Sequence, residues 1–109
     1  MNEKTMNKKE FLMQIKIAVR EIEPDAEIRF YGSRTREDST EQSDWDFLIL
    51  LNGKVDDKRT DKIRHRLYEI EWEHGEVISS IVRNKKEWDD MPLSSMPIHQ
   101  VIEQEGIQL

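Results

Sequence analysis

The sequence predicts a small α+β domain in which a mixed sheet packs against helices. Strand-like runs of apolar residues occur at 27–31, 44–51 and 76–83, and helix-like periods occur at 7–23 and 57–74. These two kinds of period alternate along the chain, and turn signals separate them. Such alternation favours a sheet of at least three strands covered by helices.

Length and composition indicate one domain over residues 1–109, large enough for a single core but too small for a second catalytic domain. Charged residues make up 37% of the chain and apolar residues 36%, yet three Trp, two Tyr and three Phe argue against disorder. The net charge of −6 disfavours tight, nonspecific binding to nucleic acid, because little of the surface could replace condensed counterions.

The chain has no cysteine, which excludes disulfides, thiolate chemistry and cysteine-based zinc sites and leaves the redox compartment undetermined. Other features of the chain bear on location. Its first residues lead into no apolar segment of a signal peptide, and the longest unbroken apolar run, 47–51, has five residues. We therefore expect a cytoplasmic protein.

Both long helices have recognisable ends. Asn7 is suited to cap the first helix, with Glu10 three residues later, and Pro24 closes it. Gly75 fits the end of the second helix, 57–74. Basic residues on this second helix are accompanied by acidic ones, which favours a solvated face with local ion pairs over a nucleic-acid surface. In the first helix, the apolar residues recur at three- and four-residue steps: Phe11, Leu12, Ile15, Ala18, Val19 and Ile22.

The first strand delivers a turn that can approach a ligand. Residues 28–31 run into Gly32-Ser33, where glycine lets the backbone turn sharply and Ser33 offers a hydroxyl and an N–H. Arg34 and Arg36 follow, and an arginine is well suited to bind phosphate oxygens with paired N–H groups. The alternative is that both arginines form exposed ion pairs with the acids of the same loop: Glu37, Asp38 and Glu41.

A pair of carboxylates lies at the head of the second strand. Asp44 and Asp46 are two residues apart, so a strand presents both on one face and presents Trp45 and Phe47 to the other, against the helices. Next to a Gly-Ser turn, two carboxylates can hold Mg²⁺ or Mn²⁺ against a phosphate oxygen. The alternative is that they mark the solvated start of a strand.

The motif as a whole resembles a known signature. Gly32-Ser33, ten residues, then Asp44-Trp45-Asp46-Phe47 is similar to the signature of the polymerase-beta-like nucleotidyltransferase superfamily. The string Gly-Ser-Arg-x-Arg, with Ser43 before the acids, is most similar to its minimal nucleotidyltransferase (MNT) branch.

The resemblance implies the polymerase-beta-like nucleotidyltransferase fold and transfer of a nucleoside monophosphate from a triphosphate such as ATP to an acceptor. It implies that Asp44 and Asp46 are catalytic and bind Mg²⁺ or Mn²⁺. It implies a nucleotide site at the residues of the turn: Gly32, Ser33, Arg34 and Arg36. The MNT branch also implies a protein acceptor, a small helical nuclease-like partner encoded nearby, as in toxin–antitoxin pairs.

The third strand departs from the family pattern. Active members often carry a third acid there, which activates the attacking hydroxyl, whereas this chain offers Ser79 and Ser80. Glu76, at the edge of the strand, is the one substitute we identify. A serine accepts no proton at neutral pH without a base beside it. A catalytically weakened binding module is therefore the alternative to a transferase, and a structural domain with an accidental motif is a third hypothesis.

The tail is predicted to hold a capped helical turn at 84–88, a loop at 91–97 and a final helix at 98–105 that ends at Gly106. Its apolar residues either close the core or form a surface for a partner or a second copy of the chain: Met91, Leu93, Met96 and Ile98.

Overall fold

The structure is a computed structural model that describes residues 7–35 and 43–109. These residues form four α-helices and four strands. In chain order, the elements are α1 (Lys8–Ile22), β1 (Glu27–Tyr31), β2 (Trp45–Leu51), α2 (Asp57–His74), β3 (Ile78–Asn84), α3 (Lys85–Trp88), α4 (Pro97–Glu105) and β4 (Ile107–Gln108), with 3₁₀ turns at Ser33–Thr35 and Leu93–Ser95.

The strands form one mixed sheet in the order β3-β2-β1-β4, which confirms the predicted fold class. β2 runs parallel to β3, and β1 runs antiparallel to both β2 and β4. The short strand β4 was not predicted, since two residues carry no period of their own. It joins the sheet edge beside β1, where the N–H of Leu109 also donates to the carbonyl of Ile28 at 2.9 Å.

The predicted element ends are largely confirmed. Asn7 caps α1 through a reciprocal pair of hydrogen bonds with Glu10, and Gly75 ends α2 in the left-handed conformation with a φ of 65°. The predicted start of the third strand at residue 76 was wrong. β3 begins at Ile78. Its parallel partner β2 begins at Trp45, and Trp45 lies opposite Ile78, so the pairing of the two strands starts there.

The sheet is covered on both faces, and β2 is the strand buried between the two cores. On one face, Trp45 and Phe47 pack against α1 and α2, as predicted, and the Trp45 ring lies 4.5 Å from that of Phe11. On the other face, a smaller cluster joins the sheet to α3 and α4. This smaller cluster consists of Tyr31, Leu48, Leu50, Trp88 and Ile102.

The tail divides between core and surface. α4 starts at Pro97, one residue before the predicted start, because proline is well tolerated in the first turn of a helix. Ile98 packs against the smaller cluster, whereas Met91 is 74% exposed and Met96 is 44% exposed. Within the described residues, no helix combines the length and apolarity that crossing a membrane requires.

Candidate functional site

The turn after β1 is built around Gly32. Its φ of 88° lies in the left-handed region that favours glycine. The N–H and the hydroxyl of Thr35 both donate to the Gly32 carbonyl, at 3.1 and 2.6 Å, which closes the 3₁₀ turn. A Cβ at residue 32 would lie 2.2 Å from Oδ2 of Asp46, so the side chain of any other residue would collide with this carboxylate. The turn and the carboxylate are therefore in direct contact.

The two aspartates lie on the same side of the sheet, as predicted. Asp46 is in β2 and pairs in register with Ser79 of β3. The hydroxyl of Ser79 donates to Oδ2 of Asp44 at 3.1 Å, although Asp44 lies just before the strand. Ser79 rather than Ser80 thus borders the carboxylate pair, since neighbouring residues of a strand face opposite sides.

Negative charge is concentrated at this end of the sheet. Burial, and then the nearby charge of Asp44, raise the pKa of the Asp46 carboxyl above its ordinary value. On β1, Tyr31 lies opposite Asp46 in the strand register. Burial, and then the Asp46 charge, raise the pKa of the Tyr31 phenol to about 12. A cation placed between the two carboxylates would relieve this repulsion.

Arg34 and Glu76 meet beside Trp45. The guanidinium of Arg34 lies 4.7 Å from the centre of the Trp45 ring, and its Nε donates to the carbonyl of Ser43 at 3.0 Å. Oε1 of Glu76 accepts from Nε1 of Trp45 at 2.8 Å and from Nη2 of Arg34 at 3.3 Å. The Glu76 carboxylate is thus engaged by these two side chains, a pairing that the sequence did not predict.

The predicted site residues are brought together to different degrees. Gly32 contacts Asp46, and Ser33 begins the 3₁₀ turn beside them. Asp44 accepts a hydrogen bond from the hydroxyl of Ser79, which lies opposite Asp46 on the neighbouring strand. The nucleotide role predicted for Arg34 stays a prediction. Arg36, together with the three loop acids proposed as its alternative partners, lies outside the described residues.

A match to a known protein family assigns the chain to that family. The model of the family described as nucleotidyltransferase domain matches residues 12–105, which is most of the chain. The chain belongs to this nucleotidyltransferase domain family. No curated protein and no solved structure matches it. Membership supports nucleotidyl transfer as the function, and the four-stranded sheet with its helices is consistent with such a domain.

Nucleotidyltransferase domains commonly use divalent metals, and the two aspartates beside the turn are suited to bind such an ion. Asp44 and Asp46 supply the oxygen ligands that Mg²⁺ and Mn²⁺ prefer. Burial, and then the charge of Asp44, raise the pKa of the Asp46 carboxyl, so a divalent cation bound here would favour the ionised form.

A second group of polar side chains lies away from the turn. Single ligand atoms of Asp89, His99 and Glu103 lie within 4.8 Å of one another at the junction of α3 and α4. No metal-binding spacing in the sequence could have identified this group. Glu103 is already paired with Arg29 and accepts from Nε1 of Trp88 at 3.3 Å. We therefore assign the group to the packing of the tail.

Proposed function

We propose that this nucleotidyltransferase domain transfers a nucleoside monophosphate from a nucleoside triphosphate to an acceptor, with release of pyrophosphate, and that it needs Mg²⁺ or Mn²⁺. The observation that carries the proposal is the contact of Gly32 with the Asp46 carboxylate. This contact places a turn that can approach phosphates next to two carboxylates that can bind a cation. A purely structural domain needs neither such a turn nor two adjacent carboxylates.

Each residue of the site has a proposed role. Asp44 and Asp46 would bind the cation, which when bound supplies positive charge against the phosphate oxygens. Gly32 leaves the space that the Asp46 carboxylate occupies, which keeps this carboxylate against the turn, and Ser33 would offer its hydroxyl to a phosphate there. Arg34, which donates to Glu76 and Ser43 in the structure, would turn its N–H donors to a phosphate oxygen of the bound nucleotide.

The family branch and the acceptor are also proposals. The string Gly32-Ser33-Arg34 and the acid pair support membership of the MNT branch. A protein partner encoded nearby, as in toxin–antitoxin pairs, is the acceptor that this branch implies. The exposed apolar side chains of Met91 and Met96 support a contact with such a partner.

Label transfer tests the proposal. The protein is incubated with Mg²⁺ and each α-labelled nucleoside triphosphate, alone and with the product of the neighbouring gene. We expect label on an acceptor with the wild-type protein and none with the double variant Asp44→Asn, Asp46→Asn. The control is Asp61→Asn, which removes an exposed carboxylate of α2 and should transfer label as the wild type does. Label transfer by the double variant would rule out the assigned site.

A binding module is the second candidate function. The observation that favours it is the hydroxyl of Ser79 beside Asp44, where a third carboxylate would activate an acceptor hydroxyl. This candidate predicts Mg²⁺-dependent nucleotide binding without transfer to any acceptor. Nucleotide binding together with label transfer excludes it.

A further inference from the structure

The outer edge of β3 is open. β3 is the last strand on its side of the sheet, and no described residue pairs with it there. The N–H of Trp45 donates to the carbonyl of Val77, so the odd-numbered residues along β3 direct their backbone groups to β2 and the even-numbered residues direct theirs outward. Ile78 confirms this, because its N–H donates to Oε2 of Glu71 at 2.7 Å instead of to β2.

Two residues in the middle of β3 offer backbone groups at this edge. The N–H and the carbonyl of Ser80 and of Val82 point outward, and among the described residues their one partner is Arg83, whose Nη1 donates to the Val82 carbonyl at 2.9 Å. A carbonyl oxygen accepts two hydrogen bonds, so it can still pair with a strand. Proline and charged residues usually protect such an edge, and the run 78–82 contains neither.

A second copy of the same edge can pair with it in a definite register. In antiparallel pairing about a two-fold axis at Ile81, Ser80 of each copy exchanges hydrogen bonds with Val82 of the other. Both residues with outward backbone groups are then used. A register centred on Ser80 would need the N–H of Ile78, which Glu71 already occupies.

This register brings opposite charges together. Arg83 of one copy lies opposite Ser79 of the other, and directly opposite residues share a face of the sheet. The hydroxyl of Ser79 donates to Asp44, so the arginine arrives next to the carboxylate pair. Arg83 is exposed, and within the described part of the chain it makes no ion pair of its own. The edge of one copy is therefore complementary in charge to the site of another.

Exposed aromatic side chains flank the same edge. α2 packs on β3 in the core cluster that contains Leu67 and Val82, so pairing of two β3 strands brings two α2 helices side by side. Tyr68 precedes Glu71 by three residues and shares the side of α2 that reaches the β3 edge. Tyr68 is 54% exposed and Trp72 is 74% exposed, with 6.2 Å between their ring centres. Two copies would cover these rings against each other.

We propose that the domain forms a two-fold homodimer through antiparallel pairing of its β3 strands, with the axis at Ile81, and that Arg83 of each copy completes the site of the other. The dimer follows from the edge of the sheet, whereas the role of Arg83 rests on the function proposed above. In that role, Arg83 donates to a phosphate of the nucleotide that Asp44 and Asp46 of the other copy hold through the cation.

A single introduced cysteine tests the pairing, because the chain has none. Ile81→Cys places two thiols opposite each other in a non-hydrogen-bonded pair, where the Cα atoms lie about 4.5 Å apart, within the range of a disulfide. We expect mild oxidation to give a covalent dimer on a non-reducing gel. The control is Ile107→Cys, an exposed position on β4 at the opposite edge, which should stay uncrosslinked. Equal cross-linking of the two variants, or none at residue 81 with the fold intact by circular dichroism, overturns the dimer.

The mass in solution gives a second test without cysteine. Light scattering of the wild type should give twice the 13.1 kDa of one chain. Ser80→Pro removes an outward N–H and leaves the hydrogen bonds to β2, since proline is tolerated at a strand edge, so this variant should be monomeric. The control, Ser80→Ala, keeps the N–H and should stay dimeric. A monomeric wild type, or a Ser80→Pro variant as dimeric as Ser80→Ala, contradicts the pairing.

Mixing two variants tests Arg83 separately from the proposed function. Arg83→Gln should lower Mg²⁺-dependent nucleotide affinity about 10-fold, while the exposed control Lys86→Gln should leave it unchanged. The double variant Asp44→Asn, Asp46→Asn should bind no nucleotide. A dimer of Arg83→Gln with this double variant contains one site with both acids and an arginine, so random mixing should restore wild-type affinity at about one site in four.

The outcomes of the mixing experiment are distinct. Wild-type affinity at a fraction of the sites supports an arginine supplied by the other copy. No recovery, with mixed dimers detected by mass spectrometry, overturns the role of Arg83. A wild-type protein that binds no nucleotide with Mg²⁺ contradicts the proposed function and the role of Arg83 with it, and the cross-linking of Ile81→Cys then decides the dimer by itself.

Discussion

Gly32 and Asp46 lie in direct contact at the end of the β1–β2 pair, with 2.2 Å between the position of a Cβ at residue 32 and Oδ2 of Asp46. The contact joins two requirements at one position. Residue 32 must adopt a φ of 88°, and it must leave space for the carboxylate. Glycine meets both, which explains in physical terms why this residue type stands between β1 and the turn.

Gly32→Ala should therefore destabilise the domain and displace Asp46. We expect a loss of about 1–3 kcal/mol in the free energy of unfolding, from backbone strain and the collision together. Urea denaturation measures this loss. The matched control is Gly75→Ala, where φ is also positive, at 65°, but no atom lies within 4 Å of the added Cβ. The control should cost about 1 kcal/mol, from strain alone, and should keep nucleotide binding. Equal costs at the two positions would argue against the collision.

Tyr31 should titrate at unusually high pH. Burial and the Asp46 charge raise its pKa from 10.0 to about 12. Because the folded state holds this proton more tightly than the unfolded state, its contribution to stability is present below pH 10 and is lost as the pH rises from 10 towards 12. Ultraviolet absorbance of the phenolate measures the titration. Tyr31→Phe should remove the high-pH phase, and Asp46→Asn should move it to lower pH. The control, Tyr68→Phe, should retain it; a high-pH phase that persists in Tyr31→Phe would refute the assignment.

The sequence predicted the parts of the site that depend on local periods. The two-residue spacing of Asp44 and Asp46 determines their common face, and the apolar run after them predicts a strand buried on both sides. Ser79 could not be distinguished from Ser80, because the choice depends on the register between β2 and β3. That register is a contact between residues more than thirty positions apart in the chain.

The environment of Glu76 could not be predicted for a similar reason. Its partners are Trp45 and Arg34, 31 and 42 positions away, and they are brought together by the parallel pairing of β2 with β3. The strand β4 was missed because its two residues show no alternation and depend on β1 for their hydrogen bonds. Long-range pairing therefore determines both the parts of the fold and the parts of the site that the sequence left open.

Glu76→Gln should leave nucleotide binding unchanged. The structure engages Glu76 with Trp45 and Arg34, so loss of its charge removes an ion pair while the amide oxygen can still accept from the Trp45 indole. We expect a loss of less than about 1 kcal/mol in unfolding free energy. Urea denaturation and nucleotide titration measure the two effects, with Glu21→Gln, on the exposed side of α1, as the control. A large drop in Mg²⁺-dependent nucleotide affinity would instead make Glu76 a third acid of the site.

The central claim is that Asp44 and Asp46 bind a divalent cation together with a nucleotide. Isothermal titration of the wild-type protein with a non-hydrolysable nucleoside triphosphate analogue, in Mg²⁺ and then in EDTA, tests it most directly. We predict binding that requires Mg²⁺, that disappears in the double variant Asp44→Asn, Asp46→Asn, and that is retained in Asp61→Asn. Unchanged affinity in the double variant, with its fold intact by circular dichroism, would contradict the account.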